Sequence, residues 1–92
     1  MDTGDIVKSW NLSGHIHTEE ELLKELAQKI LTLWYNNPSK LMNTLYRLDV
    51  SEDKVKNAFQ SSKENSFAYE LATLIINREK QKAILRKKYN SN

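Results

Sequence analysis

Chain-breaking residues are almost missing from this sequence. Among 92 residues there are two glycines, Gly4 and Gly14, and one proline, Pro38. A β-sandwich or small barrel needs a turn every eight to twelve residues or so, usually built on Gly, Pro, Asn or Asp. From residue 39 onward neither Gly nor Pro occurs. The chain therefore has the punctuation for a few long elements and too little for many short ones, which favours helices. Hydrophobic residues at 39% and charged residues at 28% suit an ordered domain of one modest core rather than a disordered chain.

Local signals place those helices. Thr18-Glu19-Glu20-Glu21 is a capping box, with the Thr18 hydroxyl facing an orphan backbone N–H and three acids at the positive end of the helix dipole. Leu22, Leu26, Ile30, Leu33 and Trp34 recur at spacings of three and four, widened by Leu23, Ala27 and Leu31. Asn36-Asn37-Pro38 stops this helix and starts the next, Asn37 as cap and Pro38 at the first helical position. Leu41, Leu45 and Leu48 form the second stripe, flanked by Met42 and Tyr46. Asp49-Val50-Ser51 interrupts, and Ser51 is expected to cap a third helix carrying Val55, Ala58 and Phe59 inward. Residues 61–66 read as a polar loop. A fourth helix is expected from about residue 67 to about 89, roughly 35 Å long. Its main stripe is Phe67, Leu71, Leu74 and Ile75, with Ala68, Ala72, Ile76 and Ala83 as a smaller one. That length exceeds what the second and third helices can cover, so its last turns are expected to project, to pack on the first helix or to meet a partner. Residues 1–17 show no helical period and read as a flexible or loosely docked arm.

The expected architecture is all-α: one bundle of four helices over residues 18–92, with the arm at 1–17 and a long basic last helix. Its core would be Leu22, Leu26, Ile30, Leu33, Leu41, Leu45, Leu48, Val55, Phe59, Leu71, Leu74 and Ile75.

Charge is unevenly spread. Residues 1–36 carry three lysines against six acids, net −3; residues 37–76 balance; residues 77–92 carry six bases against one acid, net +5. A basic end and an acidic start can steer a partner or attract each other. There is no cysteine, which rules out disulfides, thiolate metal sites and a cysteine nucleophile within this sequence. No run approaches 18 uninterrupted apolar residues, and the acidic start does not read as a secretory signal; the expected location is the cytoplasm.

Catalytic chemistry is not announced. His15 and His17 stand two apart, spaced to share a face of an extended segment, yet they are more simply two loop histidines beside a helix start. The serines fall in caps and loops, and neither glycine belongs to a phosphate-cradling motif. We expect no enzyme, no cofactor and no metal. Candidate partner- or nucleic-acid-binding residues are Arg78, Lys80, Lys82, Arg86, Lys87, Lys88 and Tyr89. Bases on a helix neutralise phosphates, but they also complement a C-terminal dipole and keep a projecting helix soluble. Trp10, Trp34 and Tyr35 are candidate interface anchors, competing with a role in the core or at its rim. Membrane-surface binding would want a clean apolar face opposite the bases, which residues 77–92 lack.

The stretch from Leu48 to Phe59 resembles the turn and second helix of a helix-turn-helix DNA-binding motif, where apolar-Gly-Val-Ser precedes a helix. It departs at Asp49, which replaces the glycine, and at Glu52 and Asp53, which put acid where phosphate would approach. Over residues 20–89, Leu45-Tyr46-Arg47-Leu48-Asp49-Val50-Ser51-Glu52, then Glu70-Leu71-Ala72, Leu74-Ile75-Ile76, Arg78, Gln81-Lys82 and Arg86-Lys87-Lys88-Tyr89, the chain resembles a group of small, uncharacterised all-helical proteins of Bacteroidota bacteria. That resemblance implies a cytoplasmic all-helical bacterial protein and brings no activity or site residues.

The leading functional expectation is a non-catalytic helical protein–protein interaction module, an adaptor or regulator, working through the distal fourth helix and the arm. Self-association into a homo-oligomer is a second expectation about partners, because an overlong helix can complete its core that way. The alternative function is nucleic-acid binding through the basic helix and the helix-turn-helix-like segment at 41–59.

Overall fold

The computed structural model describes Trp10, Leu12, residues 18–60 and residues 66–90, with side chains to Leu85. The described residues form four helices: α1 (Glu19–Asn36), α2 (Pro38–Leu48), α3 (Glu52–Phe59) and α4 (Ser66–Asn90). No strand occurs among the described residues. The all-α expectation holds. The arm at 1–17, apart from Trp10 and Leu12, lies outside the described residues.

The caps explain the boundaries. The Thr18 hydroxyl accepts from the Glu21 N–H at 3.1 Å, and Glu19, Glu20 and Glu21 occupy the first turn. The Asn37 side chain accepts from the Lys40 N–H at 3.2 Å, with Pro38 opening α2. Asp49 ends α2 in the left-handed region at φ 57°. Its N–H reaches the Tyr46 carbonyl at 3.0 Å and the Val50 N–H reaches the Leu45 carbonyl at 3.4 Å. This is a Schellman turn, whose left-handed residue is most often glycine. Ser51 holds the cap position of α3, but its side chain makes no capping bond. Its carbonyl accepts from the Val55 N–H at 3.0 Å, so α3 starts through its backbone and its first-turn acids Glu52 and Asp53. Three threonines inside helices, Thr32, Thr44 and Thr73, donate their hydroxyls back to the carbonyls of Gln28, Lys40 and Tyr69.

α1 and α4 form the main contact of the bundle. They run antiparallel: Glu19 pairs with Lys80 at one end, and the Trp34 and Phe67 rings meet at 5.8 Å at the other. α2 folds back along α1, α3 lies on α4, and α2 touches α4 near Leu48. The chain thus goes down, up, down and up.

The buried core contains Leu22, Leu26, Ala27 and Ile30 of α1, Leu41 and Leu45 of α2, and Val55 and Ala58 of α3. From α4 come Ala68, Leu71, Ala72, Ile75 and Ile76. Leu33, Leu48, Phe59 and Leu74, expected inside, are half-buried at its margin. The reason is the choice of stripe. α4 turns its small-residue face inward: Ala68 and Ala72 are buried, as is Ala27 of α1, and small side chains permit close helix approach where larger ones would hold the axes apart. Trp10 completes the core from outside the bundle and is buried.

Truncating this core carries a known scale of cost. Leu26→Ala and Ile30→Ala are each expected to destabilise by about 2–5 kcal/mol, against roughly 5–14 kcal/mol for a domain of this length. Urea unfolding should show a lower midpoint at unchanged slope. At the Schellman turn, Asp49→Val is expected to cost about 1–2 kcal/mol, since a β-branched residue resists φ 57°. Asp49→Gly should stay within about 0.5 kcal/mol of the parent, backbone relief offsetting the lost ion pair.

Candidate functional site

The register of α1 on α4 creates the most distinctive surface. α1 starts at Glu19, and Glu19 meets Lys80. α4 continues to Asn90. Ten residues, about 15 Å of helix, therefore run on past the start of α1. Neither Gly nor Pro interrupts α4 between Ser66 and Asn90.

Within α4 the apolar side changes over. At about 100° per residue the buried stripe at 68, 71, 72, 75 and 76 occupies one side of the helix. After Ile76 the same side continues as Glu79, Lys82 and Ala83, polar or small. Ile84 and Leu85 instead fall about 160° and 100° from the centre of that stripe. They are 64% and 45% exposed. Two large aliphatic side chains thus stand adjacent on the outward side of a projecting helix.

The bases near them divide into two groups. Arg78 and Lys80 belong to the fold. Arg78 Nε donates to the Leu48 carbonyl at 3.1 Å, its Nη1 reaches Gln81 Oε1 at 3.4 Å, and its Nη2 lies 3.5 Å from Asp49 Oδ2. The guanidinium therefore serves a terminal carbonyl of α2, one of the acceptors a helix leaves unpaired, and sits at the negative end of its dipole. The Lys80 ammonium pairs with Glu19. Lys82 is half-buried. Arg86, Lys87, Lys88 and Tyr89 continue α4, and their side chains lie outside the described residues.

The aromatic candidates separate in the same way. Trp10 is in the core and presents no surface to a partner. Trp34 closes the opposite end of the bundle with Phe59 and Phe67, at ring-centre distances of 5.0 and 5.8 Å, and Phe59 stacks on Phe67 at 5.5 Å. Edge and offset geometries of this kind are favourable beyond simple burial. Tyr35, beside it, is 75% exposed and remains available.

A second feature was not signalled by the sequence as a site. α2 and α3 diverge from their shared turn and leave an open apolar recess of about 440 Å³ lined chiefly by Met42, Tyr46, Val50, Val55 and Phe59. Glu52 and Lys56 are its charged lining residues. The only hint in sequence was Met42 and Tyr46 flanking the α2 stripe. This recess borders the helix-turn-helix-like segment. The turn there has the left-handed backbone expected of glycine, although Asp49 supplies it. The acids Glu52 and Asp53 are exposed at the start of α3, where a DNA phosphate would have to approach.

Among the described residues no three of His, Cys, Asp and Glu gather closely enough to hold a metal ion. His15 and His17 lie outside them. No described helix is long and apolar enough to cross a membrane.

The two fold-bound bases should differ in weight. Arg78→Met is expected to destabilise by about 1–2 kcal/mol, because it strips a donor from the Leu48 carbonyl. Lys80→Met removes a half-exposed surface pair and should cost no more than about 0.5 kcal/mol. Paired chemical-denaturation curves would measure both.

Compared with protein-family models, with curated proteins and with solved structures, the chain matches none.

Proposed function

We propose that this protein is a non-catalytic interaction module of the cytoplasm that docks a protein partner on the distal part of α4. The observation that carries this reading is the exposed pair Ile84 and Leu85 on the outward side of a helix running about 15 Å past the start of α1. A helix extended only for solubility would carry polar residues there. Burying both side chains against a partner would contribute on the order of 3–6 kcal/mol, enough to decide whether a complex forms.

Nucleic-acid binding is supported less well. Two of its six candidate bases, Arg78 and Lys80, are held by Leu48, Asp49 and Glu19 within the fold. Ile84 and Leu85 stand exposed among the bases of this segment, and aliphatic groups bind no phosphate. A homo-oligomer through this segment would bring two strongly basic stretches together.

Photo-crosslinking in cells tests the reading directly. A photoreactive residue at position 84 is expected to give a discrete protein adduct, while the same residue at exposed position 57 on α3 should not. Labelling of nucleic acid at position 84, or no adduct there, would overturn it. So would tight binding of duplex DNA that collapses between about 50 and 200 mM salt, the signature of several phosphate contacts.

A further inference from the structure

We propose, building on that docking reading, that the segment seated on distal α4 is an acidic amphipathic helix: an apolar stripe against Ile84 and Leu85, flanked by carboxylates.

The argument is one of charge complementarity. Residues 77–92 carry six bases and one acid. The structure engages Arg78 with Asp49 and Lys80 with Glu19, so these two bases are already matched by acids of the same chain. In the sequence of the same stretch, Lys82, Arg86, Lys87 and Lys88 outnumber its one acid, Glu79, by three charges. Around the helix, register position 87 lies about 60° beyond Ile84 on one flank of the apolar pair, position 82 about 60° beyond Leu85 on the other, and position 88 between the two, one turn on. A ligand helix laid along this face would place its apolar side on Ile84 and Leu85 and its polar margins beside bases on both sides.

That arrangement selects among ligands. A basic or neutral amphipathic helix would bury the same apolar area but leave the positive margins unmatched, and like charges across an interface are strongly disfavoured. A second copy of this segment fails for that reason. An anionic membrane would match the charge but asks for a continuous apolar face, whereas here two aliphatic residues stand between polar positions 81 and 88. Duplex DNA would match the charge and leave Ile84 and Leu85 without a counterpart. Helix-in-groove and helix-on-helix recognition both read spaced apolar anchors, and the flanking charges fix partner choice.

Selection from a random displayed library of helical peptides against the full-length protein provides the test. The expected result is enrichment of sequences with Leu, Ile, Phe or Trp at spacings of three and four, interleaved with Asp and Glu. A synthetic peptide of the enriched sequence should lose about tenfold or more in affinity when its acids become Gln. It should lose a comparable factor against the K82E/R86E/K87E/K88E variant, and more between 50 and 200 mM salt. Its binding should be abolished by I84S/L85S, with the helical circular dichroism of each variant checked against the parent. Enriched peptides that need Ile84 and Leu85 but show no acidic excess and tolerate charge reversal would overturn the acidic partner while leaving the docking surface standing. Enriched peptides indifferent to I84S/L85S, or no enrichment at all, would overturn both. Tighter binding to a 20-base-pair DNA duplex, or to vesicles of phosphatidylglycerol, than to the acidic peptide would overturn the proposal in favour of that ligand.

Discussion

The antiparallel packing of α1 on α4 is the constraint from which the rest of the molecule follows. Its register is fixed at both ends, by Glu19 with Lys80 and by Trp34 with Phe67. Between them, Leu22, Leu26, Ala27 and Ile30 oppose Ala68, Leu71, Ala72, Ile75 and Ile76. α2 and α3 are too short, at 11 and 8 residues, to form a second layer of equal length. They instead fill the flank, α2 held at its end by Arg78 and α3 ending in the aromatic cluster. With the register set, the extent of the overhang is set too. A one-turn slip along α4 would put Glu79 and Lys80 in the places of Ile75 and Ile76, so the distal segment cannot be drawn into the bundle without replacing core by charge.

Electrostatics and packing agree about where the fold stops. Among the described side chains the last buried one of α4 is Ile76, and the next turn supplies Arg78 and Lys80, which reach the end of α2 and the start of α1. Both contacts are partly solvated, and surface ion pairs are individually weak. Their role is positional: Arg78 finishes the unpaired carbonyl end of α2, and Lys80 marks the entrance of α1. Past them the side of the helix that carried the core stripe continues as the half-buried Lys82 and Ala83. The appearance of Ile84 and Leu85 on the far side is therefore a property of the projecting segment itself and not a continuation of the core.

Much of this was written in local sequence. Thr18 and Asn37 cap as their chemistry requires, Pro38 opens α2, and the scarcity of Gly and Pro yields four helices and no described strand. The helices' order along one up-and-down bundle follows from their short connections. Other features were not legible, for reasons that are physical. The inward stripe of α4 was misjudged because Ala68 and Ala72 are weak hydrophobes, and their value lies in letting two backbones approach. Ser51 looked like a cap, yet the tight left-handed exit at Asp49 delivers the chain to α3 without needing its hydroxyl. Trp10 sat in a segment with no period, and only the completed bundle offers the space it fills. The basic run read as a uniform surface. Its division into fold-bound and projecting bases depends on contacts with residues 29 to 61 positions away.

The composition of the projecting turns is hard to explain by the needs of the isolated chain. Lys and Arg near a helix C-terminus complement its dipole and keep it soluble, which accounts for Lys87 and Lys88. Leu85 is a good helix former and could stand at an exposed position for that alone. Ile84 answers neither need. It is β-branched, loses side-chain freedom in a helix, and gains nothing from water at 64% exposure. Lys, Glu or Gln at that position would favour both helicity and solubility. Single exposed aliphatic residues are common on protein surfaces and ask for no explanation. Here the costly residue stands next to a second one, on the side of the helix facing away from the core, in the one stretch that outruns its neighbours. The simplest physical account is that this side is exposed only until a partner covers it.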